Sequence, residues 1–260
     1  EFLTEETADT TTIGFVWTPS YVEGLALTVD YYEIEIEDAI SSVSASRLLR
    51  ECYESTSYPN VPQCDAHERY PSGHLRYWYA YQVNQSSFES TGIDVALAYT
   101  FEDLGPVPGE LDIRGIYTQR DKHTFATTDE STPFDYVGEV GFNEDIARLN
   151  FVYTNDDWLV SLQTNYYGDA LDDVSYGPGA YGYEIASNKV DAMVYLDLQV
   201  RYDLTDSLDV YFGIDNLSNK QPPYCPNCNN EPVPGAHYTA ESYARVWDSK
   251  YQYIGFKWNL

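Results

Sequence analysis

Basic residues are scarce in this sequence: 14 lysines and arginines stand against 42 aspartates and glutamates, a formal charge of −28 over 260 residues. A phosphate backbone is gripped by a basic face, so the balance argues against a nucleic-acid partner and leaves cations and neutral solutes. Methionine occurs once, and leucine is sparse, so the usual filling of a soluble core is largely missing. No stretch approaches the about 18 apolar residues of a membrane helix. The opening Glu1-Phe2-Leu3-Thr4 has neither the basic nor the apolar region of a secretory leader. Cysteine is limited to two close pairs, Cys52 with Cys64 and Cys225 with Cys228. Loop disulfides in an oxidising compartment are the first reading of both pairs, and a redox or metal site is the alternative for Cys225-Pro-Asn-Cys228.

What the sequence has in quantity is aromatic residues, 16% of the chain, with 26 tyrosines. They recur at the ends of segments in which every second residue is apolar. Such alternation runs through residues 13–17, 25–31, 93–101, 111–117, 147–153, 158–166, 194–202, 208–214 and 254–260. Period two means strands with one apolar and one polar face. An apolar band rimmed by Tyr, Trp and Phe matches the thickness and the interfaces of a bilayer.

The connections alternate in length. Short ones fall at about 18–24, 102–108, 155–157 and 203–207, and long ones at about 38–74, 122–138, 169–189 and 218–243. Outer-membrane barrels have short periplasmic turns and long extracellular loops, whereas a soluble sandwich has no reason to place every long loop at one end. The pattern predicts an all-β fold, an antiparallel transmembrane β-barrel of roughly nine strands. Nine is odd and the last strand must run toward the periplasm, so residues 1–260 are expected to be the C-terminal part of a larger barrel. After Tyr31-Tyr32 the apolar face passes to Glu33 and Glu35, read as the strand leaving the lipid with a bulge. Residues 40–49 are expected to form a short amphipathic helix.

Several segments resemble TonB-dependent outer-membrane receptors. Glu6-Thr7-Ala8-Asp9 followed by Gly14 and Trp17-Thr18-Pro19 resembles a mid-barrel strand of that family, and Gly24 to Ile34 resembles the strand after it. Gly92-Ile93-Asp94 resembles a strand preceding a periplasmic turn. Asn216-Leu217-Ser218-Asn219-Lys220 resembles a near-terminal motif, and Tyr253 to Trp258 the last strand. The chain ends on Leu260 where the family has an aromatic residue, with Trp258 on the same face. The resemblance implies a barrel of about 22 strands closed by a plug domain that lies outside this chain. It also implies energy supplied through TonB, a position in outer-membrane lipid, and uptake of a large solute such as an oligosaccharide, peptide, metal chelate or vitamin. A surface lipoprotein or another outer-membrane subunit is a further expected partner. The alternative is a barrel serving adhesion or surface assembly without transport.

No catalytic set is present: there is no G-x-S-x-G, H-E-x-x-H or P-loop, and His67, His74, His123 and His237 lie in or near long connections without ligand-spaced partners. The chain therefore reads as a non-enzyme. The polar residues of the alternation, among them Arg114, Arg148, Asn150, Gln163, Asn165, Asp197, Gln199, Arg201 and Asp215, are expected to line the lumen, where they meet a plug or water or touch the solute. Tyr167, Asp169, Asp172, Asp173, Tyr176, Tyr181 and Tyr183 are the candidate solute-binding residues of a loop. Rings there stack on sugars or flat chelates, and carboxylates bond hydroxyls or hold a structural Ca²⁺; a loop packed on itself explains the same residues. No other cofactor is expected.

Overall fold

The computed structural model describes residues 3–42, 45–79, 82–126, 133–171, 189–223 and 250–258. Among them are the strands β1 (Thr7–Trp17), β2 (Leu25–Ser42), β3 (His67–Arg69), β4 (Leu75–Trp78), β5 (Gln82–Phe101), β6 (Glu110–Ala126), β7 (Phe134–Asp135), β8 (Asp145–Asn155), β9 (Trp158–Tyr167), β10 (Ala170–Leu171), β11 (Lys189–Val190), β12 (Met193–Thr205), β13 (Leu208–Asp215) and β14 (Tyr251–Trp258). Two helices, α1 (Ala45–Tyr53) and α2 (Pro62–Asp65), lie between β2 and β3. No described helix is long and apolar enough to cross a membrane, which says nothing of strands.

One sheet carries the strands in the order β1-β2-β5-β6-β8-β9-β12-β13-β14, with β7 beside β6. Each of these nine strands pairs with the next large strand along the chain, so there is no crossover. The turns between β8 and β9 and between β12 and β13 are two residues long. Strands of 10 and 11 residues, such as β9 and β8, suffice to span a bilayer. β2, β5 and β6, at 18, 20 and 17 residues, run well beyond that need.

The chain divides into two compact units. One comprises residues 1–10, 34–89 and 124–134, and the other residues 11–33, 90–123 and 135–260. In the second unit the register can be followed across six strands. One row joins Ile113, Phe151, Leu162, Leu198, Ile214 and Gln252, and the next joins Leu111, Tyr153, Val160, Val200, Phe212 and Ile254. Because side chains alternate, these rows form one face, almost wholly apolar. The face is uncovered: Phe256 is 70% exposed and Ile254 76%. Among the described residues, the buried hydrophobics are only Leu48, Cys52, Ala126, Ala170, Val190 and Tyr195. A wall with no core of its own and an uncovered apolar face needs a lipid solvent.

The first unit holds the compact insert. Leu48 and Cys52, one helical turn apart on α1, are both buried. Cys52 is bonded to Cys64 on α2, whose first turn opens on Pro62. By loop-closure entropy alone, a crosslink of this short span contributes about 3 kcal/mol. β3 and β4 form a hairpin, pairing His67 with Trp78 and Glu68 with Tyr77.

One expectation needs correction. The helix expected over 40–49 is α1, over Ala45–Tyr53, because β2 continues to Ser42. Glu33-Ile34-Glu35-Ile36-Glu37 keeps period two, and the strand end is tied down. Ile40 N–H donates to Glu6 Oε1 (2.5 Å), Asn84 Nδ2 donates to the Asp38 carbonyl (2.8 Å), and Ser86 Oγ donates to Ser41 Oγ (2.5 Å). β2 passes unbroken through Glu33 and Glu35, and the left-handed residue is Asp38, with φ 53°.

Candidate functional site

The face opposite the apolar rows is polar. Arg114, Asn150, Gln163 and Asp197 form one row across β6, β8, β9 and β12. Beside it run Ile116, Arg148, Asn165 and Tyr195. A third row joins Asp112, Val152, Ser161, Gln199, Gly213 and Tyr253, and a fourth brings Arg201 beside Tyr211 and Gly255. Asp215 lies two residues from Gly213 on the same face. The nine residues singled out for the lumen thus share one face of the sheet.

A chain of hydrogen bonds crosses this face. Arg148 Nε and Gln163 Nε2 both donate to Asn165 Oδ1, at 3.0 and 3.3 Å. Asn165 Nδ2 donates in turn to Asp197 Oδ2 (3.4 Å), and the other Asp197 oxygen accepts the backbone N–H of Asn216 (2.8 Å). Asn165 is buried at 4% exposure, so its amide carries bonds that water does not replace. Arg201 Nε lies 3.2 Å from Asp203 Oδ1 on the same strand. Further along the wall, Thr100 Oγ1 donates to Asp112 Oδ1 (2.6 Å).

Asn216 explains the near-terminal motif. It sits just after β13 with φ 53°, a left-handed conformation that asparagine tolerates better than most residues. Its side-chain oxygen accepts the Lys220 N–H (2.9 Å), and its Nδ2 donates to the Lys220 carbonyl (2.8 Å). Asn219, also left-handed, accepts the Lys250 N–H on Oδ1 (2.9 Å) at the start of the last strand.

Between β9, β12, β13 and β14 the polar face forms a cleft of about 330 Å³ lined by Ser161, Gln163, Asp197, Gln199, Asp215 and Tyr253. Gln199 Nε2 donates to the Tyr253 hydroxyl (3.1 Å). Two carboxylates, two amides and two hydroxyl groups, with Leu198 also in the lining, make this chiefly a hydrogen-bonding surface. Its size fits one hydrated polar group or a segment of another chain. Ser161 and Tyr253 were missed as site residues by sequence reading. The alternation Tyr251, Tyr253, Gly255, Lys257 was the available signal.

The predicted loop site is only partly described. Tyr167 ends β9 and meets the buried Tyr195 edge-on, with ring centroids 6.3 Å apart. Asp169 is ion-paired with Lys189 at 3.0 Å, where β10 and β11 pair. The ammonium beside it holds the Asp169 carboxyl below its ordinary range, and the carboxylate raises Lys189. Asp172, Asp173, Tyr176, Tyr181 and Tyr183 lie outside the described residues, as do Cys225 and Cys228. The Ca²⁺ expected there therefore has no described ligand set beyond Asp169. His123 is half-buried rather than a plain surface histidine, its ring 4.6 Å from Phe142, and His67 lies 3.3 Å from the Tyr53 hydroxyl.

The family model for the TonB dependent receptor-like β-barrel matches residues 1–217. No curated protein sequence matches the chain. Among solved structures, a point variant of the ferric enterobactin receptor from Pseudomonas aeruginosa superposes with a TM-score of 0.58 at 13% identity, covering 98% of this chain and 31% of that one. The siderophore receptor PirA from Acinetobacter baumannii gives 0.57 at 12% identity, over 98% and 32%. The pyoverdine outer membrane receptor FpvA from Pseudomonas aeruginosa gives 0.54 at 14%, over 99% and 30%. This chain spans about a third of the length of those receptors, and at such identities the likeness is one of fold. The extent of the family match, the uncovered apolar face and the up-and-down sheet agree: the chain belongs to the TonB-dependent receptor-like β-barrel family, transport proteins of the bacterial outer membrane rather than enzymes.

Proposed function

We propose that this chain is the C-terminal part of the barrel of a receptor that takes up a large solute, with energy delivered through TonB and a plug domain. The observation that carries this reading is the division of one sheet into an apolar face and a hydrogen-bonded polar face, in register across six strands. An apolar outer face meets lipid. A polar inner face seats a plug and passes a solute. The linked Arg148, Asn165 and Asp197 stiffen the wall against which a plug would rest. Arg114, Asn150, Gln199, Arg201 and Asp215 supply the lumen with donors and acceptors, and the long connections supply the first contact with the solute. A formal charge of −28 disfavours a polyanionic chelate and favours a neutral solute such as an oligosaccharide or peptide.

The test uses the full-length receptor in cells with and without TonB, offered fluorescent maltohexaose, a labelled hexapeptide and labelled ferric enterobactin. Receptor-dependent uptake of one probe that stops when TonB is removed is the expected result. Uptake that is indifferent to TonB, or uptake of none of the three, contradicts the reading.

A further inference from the structure

The apolar face of the second unit ends in a cleft where β1 turns into β2 beside the end of β5. Thr100 Oγ1 donates to Asp112 Oδ1 and Thr118 Oγ1 to Asp94 Oδ1 on the polar face (2.6 and 2.5 Å). The alternate residues Tyr99 and Phe101 therefore lie on the apolar face, and their ring centroids are 4.0 Å apart. The turn closes on them. The Thr100 N–H donates to the Gly24 carbonyl (3.2 Å), and Gly24 comes so near that a Cβ on it would lie 2.6 Å from the Thr100 carbonyl oxygen. Tyr21 stands on this turn, 76% exposed, its ring edge-on to Trp17 at 6.3 Å. On the facing turn Asp103 Oδ1 accepts the Gly105 N–H (2.8 Å). Between the two turns is a cleft of about 560 Å³, lined by the rings of Tyr21, Tyr99 and Phe101 and the carboxylates of Glu23, Glu102 and Asp103. The short connections 18–24, 102–108, 155–157 and 203–207 together carry seven carboxylates and no lysine, arginine or histidine.

We propose that this cleft seats the primary ammonium headgroup of an aminophospholipid in the adjoining leaflet. Tyr99 and Phe101 continue the apolar face that meets lipid, so a headgroup is what this cleft meets. Aromatic faces attract a cation, and carboxylates accept the three N–H donors of a primary ammonium. Charge then selects among lipids. An anionic headgroup is repelled by three carboxylates on a chain of formal charge −28, whereas a zwitterion brings no net charge. A quaternary ammonium satisfies the rings but has no N–H to give the carboxylates. The aminophospholipid alone answers both halves of the lining. The site belongs to the outer side of the wall and is independent of the solute carried within it.

The experiment offers the full-length receptor in detergent an equimolar mixture of phosphatidylethanolamine, phosphatidylcholine and phosphatidylglycerol, and counts bound lipid by native mass spectrometry. Phosphatidylethanolamine is expected to be retained about threefold or more over either of the others. Two cleft variants, Tyr21→Ala and the double variant Glu23→Gln/Asp103→Asn, are expected to lose that preference while remaining folded by their heat-dependent gel mobility. Asparagine at 103 keeps an acceptor for the Gly105 N–H, so the turn is preserved. Asp206→Asn, at another short connection, removes one charge without touching the cleft and is expected to keep the preference. Equal retention of phosphatidylethanolamine and either other lipid by the native protein overturns the proposal. So does an unchanged preference in the two folded cleft variants, or an equal loss in Asp206→Asn.

Discussion

The ring of Tyr253 lies directly over Gly213 on the neighbouring strand, and a Cβ placed on Gly213 would collide with it. The relation is reciprocal one step further along the hairpin, where the Tyr211 ring covers Gly255, and the two rings meet edge-on at 6.3 Å. Two rings thus lock β13 to β14 on the polar face, each filling the space its partner strand leaves by having no side chain. Tyr253 also accepts the Gln199 amide, so the lock extends to β12.

Gly213→Ala should therefore displace the Tyr253 ring and lower barrel stability by about 1–3 kcal/mol. The measurement is the urea midpoint of the full-length protein in detergent, read from the mobility difference between folded and unfolded forms on gels. Tyr253→Ala combined with Gly213→Ala should cost less than the sum of the two single changes, because the collision is then gone.

The Asn165 amide supplies the second prediction. Asn165→Leu removes the acceptor of Arg148 and Gln163 and the donor to Asp197 at a nearly buried position. Leaving these partners short of bonds should cost about 1–3 kcal/mol in the same assay. Asp197→Asn keeps the shape of the group and should cost less. Equal losses for the two variants would mean that the network contributes little beyond packing.

Much of this arrangement was legible in the sequence, and the parts that were not have a common cause. Period two placed Leu198 and Gln199 on opposite faces, one apolar and one polar, of a single strand. Where a strand leaves the bilayer both sides meet water and the pattern fades. The polar stretch Gln82–Ser90 gave no sign of belonging to β5, and Ile40 was assigned to a helix. The contacts within the polar face were illegible for another reason: alternation gives the face, but only register gives the neighbour. Nothing in Asn165 alone indicates Arg148 across one strand pair and Asp197 across the next. Likewise Asp169 was singled out as a solute ligand, while its partner Lys189 stands well apart from it in the sequence.

The Tyr77 hydroxyl donates to Glu68, and that contact holds the phenol protonated up to about pH 12. It also holds the Glu68 carboxyl below its ordinary range, with Arg76 assisting. A depressed carboxyl contributes to the hairpin above its unfolded value and stops doing so as pH falls through the folded one. The contact should thus persist through the ordinary glutamate range near about pH 4.3 and fail only in stronger acid. Glu68→Gln should bring the Tyr77 titration down from about 12 toward the ordinary phenol value near 10. Carbon-13 tyrosine NMR, with Tyr77→Phe to assign the signal, reads both.

The central claim is that one face of β12 meets lipid and the other meets the aqueous interior. Spin labels on single cysteines at Leu196, Asp197, Leu198, Gln199, Val200 and Arg201, in the full-length receptor reconstituted in lipid, report oxygen and water-soluble nickel access separately. The account predicts strict alternation, with oxygen preferred at Leu196, Leu198 and Val200 and nickel preferred or both excluded at Asp197, Gln199 and Arg201. Equal access at neighbouring positions, or the opposite phase, would contradict it.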